Sequence, residues 1–150
     1  MDDDIPPLRR PEDMPPIRTQ ADLHRHWRAL MGALGFGKRT LWVQMIGPDD
    51  RGLPALLQID HIPGHPDAEF LAHLMKICSD VLVELPTGSR VAMLLSRPGR
   101  RELTTSDRIW AARLHRAATV GAVRCAALHL ANDHEVRVIT PDDFARSASA

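Results

Sequence analysis

The sequence predicts one α/β domain, more strictly α+β, in which a mixed β-sheet is flanked by helices. Three observations predict it. Short β-branched or apolar runs of strand length alternate with longer stretches whose apolar residues recur at helical spacing. The segments between them are rich in Gly, Pro and Asp, the residues that make turns. The chain of 150 residues is 44% hydrophobic, enough for a core, and a domain of this length buries roughly 70% of its unfolded surface. Three Trp, three Phe and no Tyr supply the aromatic bulk, so Leu, Val, Ile, Ala and Met must fill most of that core.

Taken in order, residues 1–20, "MDDDIPPLRRPEDMPPIRTQ", hold five prolines and mixed charges without an apolar face. This composition predicts a disordered, proline-rich arm. Order is expected from Ala21, with a single globular domain over 21–144 and a flexible tail over 145–150. "ADLHRHWRALMGAL" places Leu23, Trp27, Leu30, Met31 and Leu34 on one helical stripe, stopped by Gly35 and Gly37. "TLWVQMI" (Thr40–Ile46) and "LPALLQI" (Leu53–Ile59) flank the turn "GPDDRG" and predict a hairpin. Pro54 assigns the second strand to a sheet edge or a strand start.

After "DHIPGHP", a helix is expected from Pro66 to Glu84. Phe70, Leu71, Leu74, Ile77, Cys78, Val81 and Leu82 form its buried stripe, and Asp67 and Glu69 complement its dipole. "RVAMLLS" is continuously apolar, as a strand covered on both faces would be. "RPGRREL" is a loop, and "TSDRIWAARLHRAATV" a helix with Ile109, Trp110, Leu114, Ala117 and Ala118 inward and Gly121 as its stop. "AVRCAALHLA", the turn "NDH" and "EVRVIT" give a last strand pair, and "PDDFARSASA" trails off. The expected order is α-β-β-α-β-α-β-β.

Charge and cysteine usage narrow the function classes. Net charge is zero, which argues against a nucleic-acid binder working by bulk electrostatics. Seventeen of the 19 basic residues are Arg; with the abundant Ala and Pro this suggests a GC-rich bacterial genome. Cys78 and Cys125 lie in apolar surroundings with no C-x-x-C, so buried thiols in a reducing cytoplasm are expected. No apolar run reaches about 18 residues, and "MDDDIPPLRR" is acidic and proline-rich, so neither a membrane span nor a signal peptide is expected.

"GALGFGKRT" (Gly32–Thr40) satisfies most of the G-x-x-x-x-G-K-[ST] phosphate-loop pattern. Such a loop works because it leaves a strand and enters a helix, aiming amides and the positive helix end at the anion. Here the glycines follow a helix and precede a strand, and Arg39 stands where the hydroxyl should. The segment reads as a helix stop. "DHIPGHPD" offers Asp60, His61, His65 and Asp67 in a zinc-compatible cluster, or simply a polar strand-to-helix junction. His24 and His26 cannot share a helix face, and His115, His129 and His134 fall on unrelated elements.

The stretch from "VAMLLSRPGRRELTTSDRIWAARLHRAATV" through "RVIT" resembles the JAB/MPN metalloprotease domain, most of all its RadC-like branch. That family has a buried strand ending in H-x-H-P, a short loop, S-x-x-D opening a helix, and a strand pair. Leu95-Ser96-Arg97-Pro98 occupies the H-x-H-P place and Thr104-Thr105-Ser106-Asp107 the S-x-x-D place. The family's catalytic Glu falls at or near Thr40, and the overlap runs from about Ala21 to Asp143. The resemblance implies a JAB/MPN-like, cytidine-deaminase-like layered architecture. The family's chemistry needs two imidazoles and a carboxylate on zinc, with a Glu to take the proton of the bound water. Leucine cannot ligate zinc, arginine opposes a dication, and threonine cannot act as the base. Only Asp107 survives, and Thr104-x-x-Asp107 is also a capping box. What the resemblance implies is a pseudoenzyme: no catalytic residue, no metal, no cofactor.

Arg97, Arg100, Arg101 and Arg108 then crowd the loop and helix start, with Asp107 as the expected internal partner of Arg97. Together with Thr104 and Asp107 they form the candidate binding site. The leading expectation is a non-catalytic interaction or scaffold domain in the cytoplasm that self-associates, as a dimer, or binds another protein, with neither membrane nor nucleic acid as partner. The alternative is an anion, phosphate or small-ligand module using the Arg97–Arg108 loop; a third is a hydrolase built on His61 and His65.

Overall fold

The computed structural model describes residues 5–10 and 13–145. Nine elements follow in order: α1 (Gln20–Met31), β1 (Thr40–Ile46), β2 (Gly52–Asp60), α2 (Ala68–Glu84), β3 (Arg90–Ser96), α3 (Thr105–Val120), β4 (Leu128–Ala131), β5 (Val136–Ile139) and α4 (Pro141–Ala145). The five strands form one mixed sheet in the order β2-β1-β3-β4-β5. The β3–β4 pair is parallel and the others antiparallel. The chain is thus mixed α/β, with helices on both faces of the sheet.

Strand alternation sorts the core into two layers. Leu41, Val43 and Met45 of β1 and Val91, Met93 and Leu95 of β3 face α2 and α3, where Leu74, Cys78, Trp110 and Leu114 complete the larger cluster. Ile46, Ala92 and Leu94 face the other way, onto Leu23, Trp27 and Met31 of α1. This is why "RVAMLLS" carries no polar alternation: six of its seven residues are buried. Burial of the Cys78 thiol pushes its pKa up to about 11.

Several boundaries differ from the sequence expectation, each for a local reason. α1 ends at Met31, because Gly32 already takes φ +60 and its N–H bonds back to the Arg28 carbonyl; Gly35 and Gly37 lie beyond the stop. α2 begins at Ala68, since Asp67 is spent as its N-cap, accepting from the Glu69 amide. Ile77 is 40% exposed, and Met75 takes the core position expected of it. The expected strand over 122–131 shortens to four residues. Upstream its backbone pairs with β3 at the single Val91–Cys125 bridge, and Cys125 is exposed where the sequence predicts a buried thiol. The tail forms α4: Asp143 caps it by accepting from the Thr140 amide at 2.9 Å, and Phe144 packs on the core.

The N-terminal arm is anchored before Ala21. Met14 and Ile17 are buried, Arg51 Nη1 donates to the Met14 carbonyl at 2.9 Å and Arg90 Nη2 to that of Ile17 at 2.8 Å. Residues 1–4, 11–12 and 146–150 of the expected arm and tail lie outside the described residues. Among the described residues no helix is long and apolar enough to cross a membrane.

Candidate functional site

The candidate residues meet where β3 ends and α3 begins. Thr104 is the N-cap of α3 in extended conformation, and its hydroxyl accepts from the Asp107 amide at 3.1 Å. Asp107 Oδ2 accepts in return from the Thr104 amide at 2.8 Å. This reciprocal capping box satisfies two of the amides that a helix start leaves open. It also fixes the Asp107 carboxylate at the end of β3, where Arg97 reaches it.

Arg97 binds that carboxylate through two nitrogens. Its Nε donates to Oδ1 at 3.0 Å and Oδ2 at 2.9 Å, and its Nη2 donates to Oδ2 at 2.6 Å. Nη2 also donates to the Arg101 carbonyl at 2.7 Å, and Nη1 to that of Pro98 at 3.2 Å. Arg97 is 3% exposed and Asp107 2%. A buried ion pair is tolerated when its remaining hydrogen-bonding groups find partners, and here the guanidinium's three nitrogens all do.

The 97–103 loop is pinned from below by the turn after β4. Asn132 Nδ2 donates to the Arg101 carbonyl at 2.8 Å, while its Oδ1 accepts from the amides of His134 and Glu135. Asp133 accepts from the Gly99 amide at 2.7 Å and the Phe36 amide at 3.0 Å. These backbone donors, Gly99 first, hold its carboxyl below the usual carboxylate range.

A second bracket closes the other side. Arg39 Nη1 donates to Ser106 Oγ, which donates to the Gly64 carbonyl. Trp110 Nε1 donates to the Pro63 carbonyl at 2.9 Å. The 61–65 loop is thereby tied to the first turns of α3, and His61 takes φ +57. Asp60, expected alongside His61 and His65, instead receives Thr40 Oγ1 at 3.1 Å and Gln58 Nε2 at 2.9 Å. The Gln58 bond, then Lys38 Nζ at 3.2 Å, lowers its pKa. Lys38, the lysine of the phosphate-loop-like stretch, is used by this hairpin. His61 and His65 are exposed, and among the described residues no three His, Cys, Asp or Glu side chains converge as a metal site requires.

Of the six candidate residues, then, Arg97, Thr104 and Asp107 are joined into one internal network. Arg100 and Arg101 are exposed on the outer loop, Arg100 Nη2 standing 3.3 Å from His134 Nδ1. Arg108 is half-buried, and its Nε has no partner among the described residues. Thr40 pairs with Ser96, so both point away from the face that carries Leu95; Ser96 Oγ accepts from Trp42 Nε1 there at 2.9 Å. The residue of β1 parity that reaches α3 is Arg39. Strand alternation back from Leu41 was the signal for it. Arrangements of this kind brace a helix start.

Searches against protein-family models, curated proteins and solved structures found no match.

Proposed function

We propose that this chain is a non-catalytic JAB/MPN-like domain whose work is to bind protein, with a second copy of itself as the partner. The element order, the parallel β3–β4 pair and the Thr104–Asp107 helix start support the architecture. The engagement of Asp107 by Arg97 and the Thr104 amide supports the loss of catalysis: the one carboxylate left from the family pattern is spent on an ion pair and a cap. The anion-binding alternative rests on less, since it keeps Arg100, Arg101 and Arg108 but not Arg97.

The observation that carries self-association is the β2 edge. Among the described residues β2 has a neighbour on one side only. Leu53 to Ile59 contains no charged residue, and Leu56 and Leu57 are 37% and 39% exposed. Sheet edges are normally short, charged or covered. The opposite edge is: β5 has four residues, and Arg137 on it pairs with Glu102 and Asp143. An antiparallel β2–β2 contact across a two-fold axis satisfies two identical edges at once. Light scattering after size exclusion tests this. The full chain is expected at twice its monomer mass and the Leu56→Lys variant at monomer mass; a monomer at every concentration overturns the proposal.

A further inference from the structure

The shortening of β4 has a second effect, at the far end of α3 from Arg97. Because the strand begins only at Leu128, Val123–Ala127 runs beside the start of β3 as a stretch of mostly small side chains. A pocket of about 340 Å³ opens between that run, α3, β5 and α4. Its floor is core: Met93, Leu114, Ala118 and Ile139 line it and are all buried. The polar groups that line it are Gln20, His115, Thr119, Cys125 and Thr140. The rings of His115 and Phe144 stand 5.4 Å apart along one wall.

Size and charge define what fits. An apolar cavity of about 150 Å³ takes benzene, so roughly twice that volume takes a two-ring molecule, within the usual range of ligand pockets. No Arg, Lys, Asp or Glu lines the walls, and burying an ionised group without a partner is costly. The His115 and Phe144 rings in its lining favour an aromatic guest, and hydroxyl and amide side chains can hold one neutral polar substituent. We propose that this pocket binds a neutral, largely apolar small molecule of one or two aromatic rings. It is independent of the β2 contact and uses none of its residues.

A matched pair of fluorescent two-ring probes tests the proposal on the full chain: neutral 1-naphthylamine and its sulfonated relative 5-aminonaphthalene-1-sulfonate. The neutral probe is expected to bind saturably, to be displaced by indole, and to bind about tenfold or more tightly than the sulfonate. Ala118→Met and Thr119→Phe, which place bulk in the pocket, are each expected to weaken it by about tenfold or more. Thr119 is exposed, so that variant decides should Ala118→Met fail to fold by circular dichroism. Ala72→Lys, in the open groove between α2 and α3, should leave binding unchanged. Absence of saturable binding, equal affinity for the sulfonate, retention of binding in Thr119→Phe, or loss in Ala72→Lys each overturns it.

Discussion

Arg97 Nη2 lies 2.6 Å from Asp107 Oδ2, and both side chains are almost wholly withdrawn from solvent. Removing one partner of such a pair leaves a buried charge without compensation, which costs about 3–5 kcal/mol. Arg97→Met and Asp107→Leu should each destabilise by that order in denaturant unfolding. The double variant should lose clearly less than the sum, because neither charge is then stranded. Additive losses would mean that the two residues are not coupled.

Thr104→Ala removes the hydroxyl that accepts from the Asp107 amide while leaving the ion pair in place. A loss of about 1 kcal/mol is expected from the cap, again by denaturant unfolding. Exposed Arg100→Ala and Arg101→Ala should change stability by less than about 0.5 kcal/mol. An effect from them as large as that of Arg97→Met would show the loop to be braced differently.

Ser106 and Trp110 hold the 61–65 loop by side-chain bonds to the carbonyls of Gly64 and Pro63. Ser106→Ala with Trp110→Phe should release the loop while the sheet stays intact. Limited proteolysis is expected to cut the variant within 61–65 faster than the parent. Identical cleavage would remove the proposed role of these two residues.

Burial holds the His129 imidazole down to about 4, against the Ala127 carbonyl and reinforced by His24. His26 is also lowered by burial, opposed by Gln44. An unfolded chain takes up these protons near pH 6.5, so between about 6.5 and 4 it binds more protons than the folded chain. Stability is therefore full above pH 6.5 and falls on acidification by up to about 1.4 kcal/mol per pH unit for His129. Asp22, Asp60 and Asp133 are lowered below 3.8 and act beneath that window. His129→Leu should flatten the slope of denaturant midpoint against pH from 6.5 to 4. An unaltered slope would contradict this.

How much was legible in the residues depended on how local the determinant is. β1, β3 and α3 fall at the expected positions, because each is a bounded apolar run or carries its own cap. The Arg97–Asp107 pairing was readable too, since the two residues flank one short loop. "AVRCAA" misled: its apolar residues suit a strand, but it makes only a single bridge to β3. Met14 and Ile17 were hidden among prolines, and their carbonyls are held by Arg51 from a distant turn and Arg90 from the start of β3. Arg39 required knowing which side of the sheet faces α3, and Asn132 and Asp133 act on partners about 31 to 97 residues away.

The most direct test of the central claim is amide hydrogen exchange along β2 at increasing concentrations of the full chain. A β2–β2 contact predicts that protection over residues 55–59 rises with concentration while that of β3 is unchanged. Rapid, concentration-independent exchange over 55–59 would contradict it.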